Sequence, residues 1–88
     1  MRRAARRDNA EGPILAALAR AGCMVAQLSG PGLPDLIVGY AGRISLLECK
    51  TGRSKRTPAQ EQFHALWAQY PVHVVRTPEQ ALAAVGVG

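Results

Sequence analysis

Two short apolar runs joined by a glycine-containing loop constrain the fold of this chain most. Residues 36–38 are Leu-Ile-Val, residues 43–49 are Arg-Ile-Ser-Leu-Leu-Glu-Cys, and the loop between them begins and ends with glycine. Branched and other apolar residues favour strands, and glycine adopts the positive φ angles that a tight hairpin connection requires. The pattern therefore predicts a β-hairpin near the centre of the chain.

Acidic and basic side chains flank the open end of this predicted hairpin. Asp35 precedes the first strand, and Glu48 and Lys50 close the second. A loop symmetric about residues 40–41 pairs position 38 with position 43 and places Glu48 diagonal to Asp35, at a Cα separation of roughly 7–8 Å. Alternate side chains on a strand share a face, so Glu48 and Lys50 are predicted to point the same way as Asp35.

Two carboxylates held this close repel each other unless a cation lies between them. Mg²⁺ or Mn²⁺ suits the pair, because both cations take oxygen ligands and retain bound waters. We therefore expect Asp35 and Glu48 to bind a divalent cation, with the backbone carbonyl of Cys49 as a further ligand and its side chain on the opposite face. Lys50 would stabilise charge on a phosphate or an attacking water. The alternative is a surface hairpin with an ordinary cross-strand charge arrangement, because short motifs also match by chance.

Three segments together resemble a known nuclease family. They are residues 32–38 (Gly-Leu-Pro-Asp-Leu-Ile-Val), residues 46–50 (Leu-Leu-Glu-Cys-Lys) and residues 57–60 (Thr-Pro-Ala-Gln). The combination is similar to the VRR-NUC (virus-type replication-repair nuclease) branch of the PD-(D/E)xK superfamily, especially its short stand-alone phage and prophage members. The resemblance extends from Asp8 to about Val85.

The resemblance implies an α/β restriction-endonuclease-like core, with a mixed sheet and the order helix-strand-strand-strand-helix-strand-helix. It implies a Mg²⁺- or Mn²⁺-dependent DNA endonuclease, structure-selective for four-way or branched DNA, that acts as a homodimer in phage replication, recombination or repair in the bacterial cytosol. Asp35 and Glu48 would be metal ligands and Lys50 the catalytic lysine. Glu11 would be an accessory acid and possible ligand from the first helix, and Gln60 a supporting residue on the second.

Glu11 and Gln60 also have structural explanations. Glu11 precedes Ile14 and Leu18 at helical spacing, at the end of a buried stripe, but acids are also favoured in a first helical turn. Pro13 could leave Glu11 just outside the helix, and Asp8 or Asn9 could cap it. Gln60 completes a capping box with Thr57, which could coexist with a role in the site.

The remaining pattern predicts one domain over residues 9–88 after a basic flexible tail at residues 1–8. The predicted elements outside the hairpin are helices at about Asn9–Arg20, Thr57–Tyr70 and Thr77–Ala84, and strands at Cys23–Leu28 and Val72–Arg76. Cys23 and Cys49 lack metal-site spacing and are interpreted as reduced core cysteines. Phe63 and Trp67 are expected in the core or a dimer interface, and His64 in a structural or phosphate-contacting role.

The charge is consistent with a nucleic-acid partner, and the apolar stretches, interrupted by Arg, Gly or Pro, are too short to predict a membrane span. Eleven Lys and Arg against six Asp and Glu give a net charge of +5. Basic clusters bind phosphate. The residues predicted to contact DNA are Arg53, Lys55 and Arg56 beside the second hairpin strand, and Arg6 and Arg7 near the N-terminus. The alternatives are a solvated loop and a disordered tail.

Other functional classes remain as alternatives. A catalytically silent or partner-dependent DNA-binding subunit would retain the fold and the basic loops, although the intact acidic residues argue against it. A transcriptional regulator or toxin partner would need a recognition helix, and no helix-turn-helix spacing is visible. Sequence-specific restriction is less economical, because 88 residues leave little beyond the core to contact base edges.

Overall fold

The computed structural model describes residues 9–88, so the predicted tail with Arg6 and Arg7 lies outside the described residues. It has the predicted α/β class, with three helices and a four-stranded mixed sheet. The elements in chain order are α1 (Glu11–Arg20), β1 (Met24–Gln27), β2 (Leu36–Tyr40), β3 (Arg43–Cys49), α2 (Pro58–Leu66), β4 (Val72–Val75) and α3 (Pro78–Val85). None of the helices in this described part is long and apolar enough to cross a membrane.

The sheet has the strand order β1-β2-β3-β4. The pairs β1/β2 and β2/β3 are antiparallel, whereas β3 and β4 are parallel. Parallel neighbours cannot be joined by a tight turn and need a long crossover. Here the crossover is residues 50–71. It contains α2 and, before it, residues 50–57, called the basic loop because they include Arg53, Lys55 and Arg56.

The hairpin between β2 and β3 turns more tightly than predicted. Ala41 and Gly42 form the connection, with φ angles of 52° and 79°. Two successive positive φ angles are typical of the type I′ turn, whose twist matches that of the flanking strands. Gly39 and Tyr40, which the prediction placed in the loop, therefore belong to β2.

The predicted register of this hairpin was wrong by two residues. Leu36 pairs with Leu47 and Val38 with Ser45, instead of with positions 45 and 43. An even shift preserves which strand residues share a face. It moves position 35, however, from opposite residue 46 to beside residue 48.

Helix α1 starts with Glu11 inside the helix. The N-cap is Ala10, which makes no side-chain capping hydrogen bond, so the proposed cap at Asn9 was wrong; Asp8 lies outside the described residues. Pro13 fits within the first turn, where its missing N–H has no helical acceptor to bind. The helix ends at Arg20, as predicted, and Gly22 follows it with a φ of 85° that permits the closing bond from Cys23 N–H to the Leu18 carbonyl at 3.0 Å.

The hydrophobic core lies between one face of the sheet and helices α1 and α3. Its buried members are Ile14, Leu18, Leu36, Val38, Leu47, Cys49, Val75, Ala81 and Val85. The core thus contains residues of α1, β2, β3, β4 and α3 and none of α2. Both cysteines are free thiols; Cys49 is buried, and burial raises the pKa of the half-buried Cys23 thiol.

Helix α2 contacts Glu48 and Lys50 on the opposite side of β3 and has no buried residue. It ends at Leu66, short of the predicted Tyr70, and a turn follows in which Tyr70 N–H donates to the Trp67 carbonyl at 2.8 Å. The chain contains no glycine here to signal the end of the helix, and the prediction used Pro71 instead. Phe63 and Trp67 stack with ring centroids 5.2 Å apart, and Trp67 is 44% exposed rather than in the core.

Candidate functional site

Asp35 lies where the pairing of β2 with β3 becomes irregular. The preceding Pro34 has no N–H to donate to β3. The Asp35 N–H donates to the Leu47 carbonyl at 2.9 Å, and its Oδ2 accepts a hydrogen bond from the Cys49 N–H at 2.7 Å. The carboxylate of Asp35 therefore provides the acceptor that continues the sheet beyond the last regular pair.

A three-residue group forms around this carboxylate. Glu11, Asp35 and Cys49 each offer one ligand atom, a carboxylate oxygen or the thiol sulfur, within 4.8 Å of one another. Glu11 is only 3% exposed, and its Oε2 accepts a hydrogen bond from Gln27 Nε2 at 2.8 Å. The structure thus brings the acid at the start of α1 to Asp35.

This arrangement differs from the predicted one in the direction of Asp35. The prediction placed Asp35 on the same face as Glu48 and the Cys49 side chain on the other. In the structure the Asp35 carboxylate lies within 4.8 Å of Cys49 Sγ, because its Oδ2 accepts the Cys49 N–H. Among the described residues, Glu48 is not a member of the three-residue group.

Glu48 points from β3 toward α2. Its side chain is fully buried, and its Oε1 lies 3.2 Å from Nε2 of His64. Its Oε2 has no hydrogen-bond partner within residues 9–88. Burying a carboxylate oxygen without a donor carries a large desolvation cost, so this atom marks a position where a ligand would be stabilising.

Lys50 is held on the same side by α2. It is 8% exposed, and its Nζ donates a hydrogen bond to Gln60 Oε1 at 2.9 Å. The same Oε1 accepts from the Thr57 N–H at 2.8 Å, while Thr57 Oγ1 accepts from the Gln60 N–H at 3.2 Å. The predicted capping box is confirmed, and Gln60 makes the capping contact and the Lys50 contact together.

The basic loop between β3 and α2 is held by an arginine that sequence reasoning missed. Arg76, directly after β4, donates from Nη1 to the Gly52 carbonyl at 2.6 Å and from Nη2 to the Ser54 carbonyl at 3.0 Å. Arg53 and Lys55 are exposed, while Arg56 is half-buried and pairs with Glu61 at 3.4 Å.

A recess of about 420 Å³ lies between this loop, α2 and β4. Its lining residues are Lys50, Ser54, Lys55, Arg56, Glu61, His64, Val72, Val74 and Arg76. It brings the predicted catalytic lysine together with two of the predicted DNA contacts, whereas Arg53 is not among the lining residues. The cationic groups outnumber the single acid in the lining.

His64 is the second residue that sequence reasoning missed as part of the site. A signal was present, because residues four apart on a helix and residues two apart on a strand each share a face. Gln60 and His64 have the first spacing, and Lys50 and Glu48 the second. The signal could be used only once α2 was known to lie across β3.

Comparisons with known proteins found no matching family model, no matching curated protein and no matching solved structure.

Proposed function

We propose that this protein is a metal-dependent endonuclease of the PD-(D/E)xK type that hydrolyses phosphodiester bonds in DNA. The observation that carries the proposal is the fully buried carboxylate of Glu48, whose Oε2 lacks a hydrogen-bond partner within residues 9–88. A cation beside that oxygen would offset the cost of burying it. A purely structural glutamate would be expected to have both oxygens satisfied.

Carboxylate oxygens from two adjacent backbone positions would hold the proposed divalent cation. One step beyond the Leu36–Leu47 pair, position 35 lies beside position 48, while the Asp35 carboxylate itself groups with Glu11 and Cys49 Sγ. Glu11 adds a third carboxylate near Asp35. Oxygen donors of this kind suit Mg²⁺ or Mn²⁺, with the backbone carbonyl of Cys49 as the further proposed ligand. Such a cation polarises a phosphate oxygen and lowers the pKa of a bound water.

Lys50 would stabilise the negative charge that develops on the phosphate during attack. Its ammonium group is positioned by Gln60 and lines the basic recess, where a phosphate would also meet Lys55 and Arg56. Fixed positive groups aimed at developing charge need no reorganisation during the reaction. Arg53, exposed on the same loop, would contact the backbone further along the DNA.

The proposed substrate is branched or otherwise structured DNA, such as a four-way junction. Contacts to phosphates position a nucleic acid but carry no sequence information. The recess supplies cationic side chains for phosphates, and the family resemblance supplies the preference for branched DNA. We extend the proposal to phage replication, recombination or repair in the bacterial cytosol.

We also propose that the protein acts as a homodimer. Leu66, Trp67 and Tyr70 at the end of α2 are 80%, 44% and 61% exposed, and Ile44 on β3 is 76% exposed. Ile44, Trp67 and Tyr70 line one recess. Aromatic and apolar side chains grouped on a surface are typical of protein interfaces, and a second copy of the chain would cover them.

A DNA-binding subunit without its own nuclease activity is the second candidate function. One observation favours it: Oδ2 of Asp35 already accepts the Cys49 N–H, and this carboxylate groups with Glu11 rather than with Glu48. A chain that retained the basic recess but not a working cation site would bind DNA without cutting it.

Cleavage of a labelled substrate panel tests the proposal. A four-way junction, a flap, a single strand and a plain duplex are incubated with Mg²⁺, Mn²⁺ or chelator, for the wild type and for Asp35→Asn. The asparagine oxygen can still accept the Cys49 N–H, so the variant keeps this contact while it loses the negative charge and one acceptor oxygen. We expect metal-dependent cutting that the variant lacks. Binding without cutting in any condition would reject the nuclease and favour the DNA-binding subunit.

A further inference from the structure

We propose that His64 is a positioning residue that fixes the orientation of the Glu48 carboxylate for cation binding. This inference rests on the function proposed above. It concerns a residue of α2 that contacts Glu48, and it assigns to that helix a role in organising the site.

The geometry begins with two matched spacings. Gln60 and His64 are one helical turn apart on α2, so they present side chains to the same neighbour. Glu48 and Lys50 are two residues apart on β3 and project from one face of the sheet. The contacts pair them in register, with Gln60 on Lys50 at 2.9 Å and His64 on Glu48 at 3.2 Å.

The contact with His64 leaves the two oxygens of Glu48 in different situations. Oε1 lies against Nε2 of His64, whereas Oε2 is the atom without a partner within residues 9–88. The Glu48 side chain is fully buried and that of His64 is 14% exposed, so bulk water has little access to replace the histidine. With Nε2 as the donor, His64 holds one oxygen and presents the other.

Removing the imidazole would therefore affect the cation site and not only the packing. Without His64, Oε1 of the buried carboxylate would also lose its partner, and the side chain would lose the contact that orients it. Loss of a group that orients a metal-ligating side chain typically lowers metal affinity by about 10–100-fold. The expected effect is a weaker cation site with the ligands themselves unchanged.

Mn²⁺ binding without DNA is the deciding measurement, because it does not depend on catalysis. Free Mn²⁺ is quantified by electron paramagnetic resonance for wild type, His64→Ala, His64→Gln and the matched control His73→Ala, whose histidine is exposed on β4. We expect a 10–100-fold weaker Kd for His64→Ala. His64→Gln should lie closer to wild type, because its amide nitrogen can donate to Glu48, and His73→Ala should bind as wild type does.

The outcomes separate this inference from the proposed function. Metal-dependent cleavage by the wild type together with an unchanged Mn²⁺ Kd in His64→Ala overturns the positioning role and leaves the nuclease standing. No Mn²⁺ binding by the wild type overturns both proposals.

Nuclear magnetic resonance of the wild type covers the case in which His64→Ala fails to fold. During a Mg²⁺ titration, the His64 Nε2 signal should shift with the same midpoint as the side-chain carboxyl carbon of Glu48. A shift of Glu48 alone would overturn the inference.

Discussion

Replacing Gly32 by alanine should destabilise the fold far more than the same change at another left-handed glycine. Gly32 lies in the loop before Asp35 and has a φ of +78°. An added Cβ would lie 2.6 Å from the backbone oxygen of Ala59 in the first turn of α2. Gly42, in the hairpin turn, has a φ of +79° and nothing within 4 Å of an added Cβ. Alanine at either position would have an unfavourable left-handed backbone conformation, but only at Gly32 would its Cβ also clash with another residue.

The magnitudes follow from these two contributions. Placing alanine in the left-handed region costs about 1–2 kcal/mol at either position, and the stiffer unfolded chain returns about 0.4–1 kcal/mol in both. Only Gly32→Ala must also displace a backbone carbonyl, and overpacking of this kind costs about 1–3 kcal/mol. We therefore expect Gly32→Ala to be about 1–3 kcal/mol less stable than Gly42→Ala.

Urea unfolding followed by far-ultraviolet circular dichroism measures the difference in the free energy of unfolding. In thermal melts each kcal/mol should lower Tm by about 4–8 °C for a domain of this size. Equal free energies of unfolding for the two variants would refute the close approach of the Gly32 loop to α2. The φ angle of Gly32 would then be the only structural reason for a glycine at this position.

Four further variants test the proposed site and its basic surface. Lys50→Ala and Glu48→Gln should each lower metal-dependent cleavage by at least about 100-fold, while DNA is still retained in filter binding and the circular dichroism spectrum stays unchanged; full activity in either variant would reject the site. Arg76→Ala removes both bonds to the basic loop, so limited trypsin digestion should cut that loop faster than in wild type, and an unchanged rate would show that the arginine does not hold it. Removing both Lys55 and Arg56 should make the negative slope of log DNA-binding constant against log salt concentration shallower by about 2. An unchanged slope in the binding titration would mean that DNA does not contact these two residues.

Local signals in the sequence predicted the elements better than their pairing. The capping box of Thr57 and Gln60 and the closing glycine at Gly22 depend on neighbours within one turn, so their residue types are sufficient. The register of β2 and β3 depends on which two residues form the turn, and both Gly39 and Gly42 are compatible with a turn. The prediction placed the loop between these two glycines, whereas the turn residues are Ala41 and Gly42.

The candidate site was predicted in its residue types and only partly in its geometry. The buried acids Glu11 and Glu48 and the lysine Lys50 were identified from spacing and resemblance. The direction of the Asp35 side chain could not be predicted, because it depends on the hydrogen bond that its Oδ2 accepts from the Cys49 N–H, a contact 14 residues along the chain. The partnership of His64 with Glu48 depends on packing between elements far apart in the chain, which periodicity within one element does not encode.

The crossover that carries α2 makes no contribution to the buried core, and this separates two properties of the protein. The core is formed by α1, α3 and strands β2 to β4, whereas α2 has no buried residue. Stability in proteins is not uniform, and segments with little buried apolar surface open at lower free energy than the core. Amide hydrogens of α2 should therefore exchange with solvent before those of α1 or β3. The half of the site that holds Glu48 and Lys50 in place can open, or change during evolution, while the scaffold beneath it stays folded.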